Sequence, residues 1–190
     1  MKFTLKDYQD DAVREVLQRI GTAKTLWKQH GLRNAFSLTA TTGAGKTVMA
    51  AAVFEGLLYG DDNFEFDADR GAVIIWFSDD PSLNEQTRSR LLEASDRVTL
   101  SDLEVVQNSF NQPKFAPGKI YFLNTQKLGR NSLLVRGFDP EAEEARRGPF
   151  LPEMRPDGRS HTIWDTIQNT IEDPDLTLYL VLDEAHRGMG

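Results

Sequence analysis

The sequence predicts an α/β fold in which helices cover both faces of a mostly parallel sheet. Two continuous apolar runs, "AVIIWF" (72–77) and "LTLYLVL" (176–182), are typical of strands that are buried on both faces. Segments with helical periodicity alternate along the chain with these and other strand-like runs. Strands that alternate with helices indicate a parallel, helix-covered sheet.

The N-terminal segment predicts two helices. Apolar residues over 7–20 recur at helical spacing, with Asp7 as a suitable N-cap and Gly21 as a suitable end. Residues 23–30 predict a second, short helix that ends at Gly31.

The following elements continue the alternation of strand and helix. A β-leaning run predicts the first strand over about 35–40, and a glycine-rich turn then leads to an alanine-rich helix over about 46–59. A further helix is predicted over 82–95, where Ser82 and Glu85 have the spacing of a capping box. The remaining predicted elements are the strands 72–77, 103–107, 119–124 and 176–182 and the helix 161–171.

Two segments are predicted to be loops. Residues 61–70, "DDNFEFDADR", hold five acids and one base, and we expect them to be solvated. Residues 138–160 contain four prolines, six acids and four arginines, with too few apolar residues for a core element. We interpret this second segment as an inserted flexible arm.

The composition is that of an ordinary globular domain. The chain has 190 residues, of which 39% are hydrophobic and 27% are charged, so it can bury a core. The absence of cysteine excludes disulfides and thiolate metal sites. We find no secretory signal and no apolar run of the roughly 18 residues that span a bilayer, so we expect a cytoplasmic protein without a membrane partner. The net charge of −7 argues against a nucleic-acid footprint over the whole surface and leaves a local one open.

The stretch "TATTGAGKTV" (39–48) has the composition of a phosphate-binding turn. Gly43 and Gly45 let the backbone curl until successive N–H groups point inward at a helix N-terminus. Lys46 can then reach the β- and γ-phosphates of a nucleotide, and Thr47 can offer its hydroxyl to Mg²⁺. ATP and Mg²⁺ are therefore the expected cofactors. The residues expected to bind them here are Thr42, Gly43, Ala44, Gly45, Lys46 and Thr47.

The stretch "LYLVLDEAH" (178–186) is an apolar strand that ends in two carboxylates. Such an acid beside a phosphate-binding turn can hold the metal, and we assign that role to Asp183. Glu184 is expected to orient and deprotonate the attacking water, so Glu184 and Lys46 are the predicted catalytic residues.

The two motifs together, "ATTGAGKT" and "DEAH", closely resemble motifs I and II of superfamily 2 helicases and translocases, a family with a RecA-like P-loop fold. Ala40 fits, since that family commonly has alanine at the first P-loop position. "LKDYQDDAV" resembles the family's Q motif, which implies that Gln9 reads the adenine edge and that Lys6 lies against the base. "YLVLDEAHRG" and "LNEQT" most resemble the helicase (Res) subunits of type III restriction enzymes.

Other stretches resemble the family's nucleic-acid-facing motifs. "WFSDDPSLNEQT" is similar to motif Ia, and "FLNTQKL" is similar to a threonine-containing motif that touches a nucleic-acid backbone. The resemblance implies nucleic-acid contacts from Gln86, Thr125 and Gln126, and it implies that His186 couples the nucleotide site to these motifs.

The resemblance implies that residues 1–190 are the first RecA-like lobe of a motor, truncated after motif II. In that family ATP is hydrolysed between two lobes, so we expect the isolated lobe to be inactive and a second lobe in the parent chain to be its partner. We expect the motor to move along nucleic acid or to unwind it, and we expect this nucleic acid to be DNA rather than RNA. A modification or nuclease subunit is a further implied partner, and the implied biological role is restriction or defence. The alternatives are a nucleotide-binding switch and a docking module, neither of which would translocate.

Overall fold

A computed structural model describes residues 1–41, 43–79, 81–129, 132–135 and 160–183. The chain divides into two units, which are described in turn. Unit 1 comprises Met1–Ala72 and Ser82–Glu104, and unit 2 comprises Val73–Pro81 and the described residues from Val105 onwards. The predicted arm at 138–160 falls almost entirely outside the described residues.

Helices and strands are interspersed along the described chain, although two helices come first and two strands later follow each other. The helices are α1 (Asp7–His30), α2 (Lys46–Tyr59), α3 (Pro81–Ala94) and α4 (Ile163–Glu172). The strands are β1 (Ala72–Ser78), β2 (Leu103–Val105), β3 (Lys119–Asn124) and β4 (Thr177–Leu182). None of these helices is both long enough and apolar enough to cross a membrane.

In unit 1, α1 packs closely against α2. Leu17 of α1 is 1% exposed, and a Cβ built on Gly56 of α2 would stand only 3.0 Å from Leu17 Cδ1. Because glycine has no side-chain carbon, Gly56 lets the two helices approach each other. Val13 of α1 and Leu57 of α2 are also buried, and each such side chain stabilises the fold by about 1.5–3 kcal/mol.

The prediction of two N-terminal helices is wrong, because α1 is one continuous helix. Gly21 lies inside it, where a glycine costs about 1 kcal/mol relative to alanine but does not end a helix that is held by packing. The end at Gly31 is confirmed: this residue has φ 66°, and its N–H donates to the carbonyl of Trp27 at 2.8 Å. The N-cap is Lys6, and Asp7 occupies the first turn, where a negative charge is favourable.

The strand predicted over 35–40 is not formed in the structure. These residues have no regular secondary structure, and Phe36 and Leu38 are 41% and 43% exposed. A strand needs a neighbour that pairs its backbone N–H and C=O groups, and no described strand pairs with this segment. A β-leaning sequence alone is therefore not sufficient here.

The acidic loop at 61–70 is only partly solvated. Asp61 and Phe66 form an antiparallel bridge, and Phe64 is buried. Asp69 is also buried, and its Oδ1 lies 3.0 Å from Nζ of Lys24 on α1. The expectation of a solvated loop is thus confirmed only in part, since one of its acids forms an ion pair inside unit 1.

A buried carboxylate joins α2 to the turn that follows α3. Glu55 is 2% exposed and accepts hydrogen bonds from the Ser95 hydroxyl, from the Asp96 N–H at 2.6 Å and from the Met1 ammonium group at 2.9 Å. Burial alone would raise the pKa of the Glu55 carboxyl, but these bonds and one from the Arg97 N–H outweigh it, so the pKa lies below its ordinary value.

The sheet lies mainly in unit 2 and has the strand order β2-β3-β1-β4. β1 and β3 pair in parallel, with a register that runs from Val73 opposite Lys119 to Ser78 opposite Asn124. Both predicted strands are confirmed, and every residue of β1 is buried. β2 is shorter than the predicted strand over 103–107.

The core of unit 2 covers one face of this sheet. Ile163 of α4 is 1% exposed within it, and Ile167 packs against it from the next turn of the helix. The ring of Tyr121 on β3 packs against that of Phe115 in a tilted arrangement, with 4.5 Å between the ring centroids, and its hydroxyl accepts a hydrogen bond from the Ala116 N–H. The buried members are Val73, Ile75, Phe77, Val106, Phe110, Phe115, Tyr121, Leu123, Leu134, Ile163 and Leu176.

β4 is an edge strand among the described strands, and it is only partly buried, so the prediction that it is buried on both faces is wrong. Leu176 and Leu178 lie against the core, but Leu180 and Leu182 are 57% and 63% exposed. These four positions share a face because strand side chains alternate. The cover of that face therefore ends halfway along the strand.

The two later helices differ in how they begin. α4 starts after Thr162, whose hydroxyl accepts from the Asp165 N–H at 3.1 Å, while the Asp165 carboxylate accepts from the Thr162 N–H at 2.8 Å. This is a reciprocal capping box. α3 instead begins at Pro81, a residue that is favoured at the first helical position, so Ser82 lies within the helix and the predicted capping box is wrong.

Candidate functional site

The glycine-rich turn leads directly into α2 in unit 1. Gly43 and Gly45 have φ values of 83° and 81°, in the left-handed region that side chains disfavour, and Gly45 is the N-cap of α2. The first N–H groups of α2 have no partners within the helix, so they are available at this turn. Both glycines therefore have the tightly curled backbone conformation for which the sequence predicts glycine.

The two polar side chains that follow the turn occupy the first turn of α2. Lys46 is exposed, and no carboxylate of the described residues lies within ion-pair distance of its ammonium group. Thr47 is half-buried beside it. The positive charge and the hydroxyl thus stand where the helix N-terminus already favours an anion.

The start of α1 contacts this turn through a single carbonyl group. The Ala44 carbonyl accepts a hydrogen bond from the Tyr8 hydroxyl at 3.0 Å and one from Gln9 Nε2 at 2.9 Å. The Lys6 N–H donates to Gln9 Oε1 at 3.0 Å. A Cβ on Gly45 would lie only 2.5 Å from Gln9 Nε2, which is a second reason for glycine there.

These contacts give Gln9 a structural role in addition to its predicted contact with adenine. Its side chain is 7% exposed and its amide holds the turn, although one N–H and one oxygen lone pair of the amide remain for a further partner. Lys6 is exposed at the N-cap of α1, three residues away. The sequence does not predict the contact between Tyr8 and the turn, because this contact joins residues 36 positions apart and no local pattern signals it.

In unit 2, polar residues lie at the carboxyl ends of three neighbouring strands. Asp183 follows β4, and its N–H donates to the Phe77 carbonyl of β1 at 3.2 Å. Asp79 follows β1, and Thr125 follows β3. The carboxyl edge of a parallel sheet is the usual place of ligand sites in α/β proteins.

The predicted metal ligands suit Mg²⁺, which keeps several water or phosphate ligands, better than a metal ion whose ligands all come from protein side chains. Among the described residues no cluster of three or more histidines and carboxylates could hold a metal. The predicted metal ligands are the Thr47 hydroxyl and the Asp183 carboxylate. Mg²⁺ is typically held by one or two such oxygen ligands together with phosphate oxygens and water, so each of these groups is by itself a suitable donor.

Two of the predicted nucleic-acid contacts lie side by side in unit 2. The Thr125 hydroxyl donates to the Asp79 carboxylate at 2.7 Å, and Gln126 Nε2 donates to the Asp79 carbonyl at 3.4 Å. Gln126 is exposed, and so is Gln86, which lies on α3 in unit 1. Three further predicted site residues, Thr42, Glu184 and His186, fall outside the described residues.

A family comparison covers both predicted motifs. The family described as "Type III restriction enzyme, res subunit" matches residues 2–190, a range that includes the glycine-rich turn and the strand before Asp183. No curated protein and no solved structure matches the chain. The family's domain is a P-loop domain of the RecA-like type, in agreement with the α/β fold and the turn geometry described above. The chain therefore belongs to the family of type III restriction enzyme res subunits, and residues 2–190 correspond to that family's ATP-binding domain of the helicase and translocase type.

Proposed function

We propose that this chain binds Mg-ATP at the glycine-rich turn and is the first motor lobe of a protein that couples ATP hydrolysis to movement along DNA, in restriction or defence. The observation that carries the proposal is the geometry of residues 43–47. Two left-handed glycines bring the chain to the N-terminus of α2, and Lys46 is the first residue of that helix.

This geometry suits a triphosphate on electrostatic grounds. ATP brings about four negative charges to one place, so its site needs many donors and little steric bulk. The turn offers backbone N–H groups, the positive end of the dipole of a 14-residue helix, and an ammonium group without a described carboxylate partner. A side chain at Gly43 or Gly45 would strain the backbone in this conformation.

Thr47 and Asp183 are proposed to hold Mg²⁺ on the strength of the family's motifs I and II. The ion, when bound, neutralises charge that develops on the β- and γ-phosphates. Glu184 is proposed to orient the attacking water and to accept its proton. The side chain of Lys46 would contact the phosphates and stabilise the same charge.

The contact with nucleic acid is proposed to involve Gln86, Thr125 and Gln126, with His186 coupling it to the nucleotide. A hydroxyl has one hydrogen, and that of Thr125 is given to Asp79, so Thr125 would have to exchange this partner for a phosphate. Gln126 is exposed and its amide has a second N–H to donate, so it is the better placed of the two.

The test of nucleotide binding is the affinity for Mg-ATP of a Lys46→Ala variant, measured by calorimetry. A hydrogen bond to a charged group contributes about 1.5–3 kcal/mol, so we expect affinity to fall at least tenfold. Lys28→Ala is a matched control, since it removes an exposed lysine from the last turn of α1, about 30 Å of helix away from the Tyr8 contact. If the Lys46→Ala variant bound Mg-ATP with wild-type affinity, the proposed nucleotide site would be wrong.

The motor function needs a separate measurement on the full-length protein. We expect its ATP hydrolysis to increase when DNA is added and to stop in the Lys46→Ala variant. ATP binding without stimulation by DNA or RNA would instead indicate a nucleotide switch or a docking module.

A further inference from the structure

The Ala44 carbonyl receives two side-chain hydrogen bonds from consecutive residues of α1. The donors are the hydroxyl of Tyr8, which is 49% exposed, and the amide of Gln9, which is buried. Both bonds join the first turn of α1 to the middle of the glycine-rich turn within unit 1. The side chain of Ala44 plays no part in them.

These bonds determine the direction of the next N–H group. In a trans peptide the C=O of one residue and the N–H of the following residue point in opposite directions, and the described chain has no cis peptide. Because the Ala44 carbonyl points to Tyr8 and Gln9, the Gly45 N–H points away from α1. No described residue accepts a hydrogen bond from that N–H.

We propose that Tyr8 is a positioning residue of the nucleotide site and that it acts on the phosphates of the ligand rather than on its base. Together with Gln9 it holds the Ala44–Gly45 peptide plane so that the Gly45 N–H and the N–H groups after it face the phosphate chain. This inference rests on the proposed function, since it assigns to the turn a phosphate-bearing ligand.

Tyr8 is the residue that allows a clean test. Tyr8→Phe removes one hydroxyl from an exposed ring and keeps the ring, whereas a change at Gln9 would also disturb a buried side chain that contacts Lys6 and Gly45. The loss of one hydrogen bond that orients a binding group predicts an affinity about three- to tenfold weaker.

The experiment measures the affinity of wild type and Tyr8→Phe for ATP, GTP and inorganic tripolyphosphate, each with Mg²⁺. We expect the variant to bind all three more weakly by the same factor, because the three ligands share only the phosphate chain. Equal affinity in wild type and variant would overturn the proposal. So would a loss confined to ATP, which would indicate a contact with adenine, and so would a wild-type chain that does not bind tripolyphosphate.

Two further variants separate the possible causes. Tyr59→Phe is the matched control, since it also removes a tyrosine hydroxyl that donates within unit 1, here to Asp102 at 2.8 Å. It should lower the melting temperature and leave all three affinities unchanged. If Lys46→Ala also binds like wild type, the proposed function itself fails. If Lys46→Ala loses binding and Tyr8→Phe does not, only the role of Tyr8 fails.

Discussion

Replacing Gly45 with alanine should cost more than replacing Gly43, although both residues have the same backbone conformation. Their φ values differ by only two degrees, 81° and 83°, so the backbone strain of about 1–2 kcal/mol applies to both variants. The surroundings of the new methyl group differ. At Gly43 no atom of the described residues beyond its chain neighbours lies within 4 Å of the new methyl group, whereas at Gly45 that group would lie 2.5 Å from Gln9 Nε2.

The extra cost at Gly45 can be worked out from the Gln9 contact. The amide must move away, and its bond to the Ala44 carbonyl is then lost, which removes about 0.5–1.5 kcal/mol. Gly43→Ala should therefore destabilise the chain by about 1–2 kcal/mol and Gly45→Ala by about 1.5–3.5 kcal/mol. ATP affinity should fall in both variants and further in Gly45→Ala, because the Gly45 N–H then loses its orientation.

The assay is denaturant unfolding of the two single variants, repeated in a Gln9→Ala background. Without the Gln9 amide the two substitutions should cost the same, so the cycle should give a coupling energy of about 1 kcal/mol between residues 9 and 45. Equal destabilisation by Gly43→Ala and Gly45→Ala in the wild-type background, or a coupling energy near zero, would show that the Gln9 amide does not restrict the side chain at residue 45.

Two other expected outcomes concern stability and catalysis. The pKa of Glu55 is lower in the folded chain than in the unfolded chain, so its stabilising contribution is complete above about pH 4.3 and is lost as the pH falls through the folded value. The difference in unfolding free energy between wild type and Glu55→Gln should therefore shrink as the pH is lowered from neutrality towards 3; a difference that is constant with pH would contradict this. In the full-length protein, Glu184→Gln should leave ATP bound and lower its turnover on the order of 10²–10⁴-fold, because an amide cannot accept the proton. Glu172→Gln, which removes an exposed carboxylate from α4, is its control, and parental turnover in Glu184→Gln would remove that residue from catalysis.

The sequence predicted those elements whose determinants are local or whose burial is complete. The left-handed turn at Gly43 and Gly45 was predicted because only glycine adopts that conformation readily. β1 was predicted because a strand that is buried along its length leaves a continuous apolar run. The boundaries of α2 were also predicted, since both of its flanking residues are glycines.

The errors concern features that depend on partners distant in sequence. Gly21 does not end a helix, because packing holds the turns on both sides of it in one continuous helix. Residues 35–40 form no strand in the described chain, because strand formation depends on a neighbour that their own sequence does not specify. The exposure of Leu180 and Leu182 has the same cause, since the burial of a strand depends on what covers it.

In the dipeptide Ala44–Gly45, the candidate site combines determinants that are local in sequence with determinants that depend on distant residues. Gly45 is required by its own φ value, which a sequence motif records, and by the nearby Gln9 amide, which only the fold brings there. Ala44 contributes through its carbonyl, a group that every amino acid has, so the motif places no demand on the side chain at that position. A pattern of residue types can therefore locate the phosphate-binding turn, but it cannot reveal that the first turn of α1 orients it. The residue that best exposes this dependence is Tyr8, because its hydroxyl contacts the turn only through the backbone.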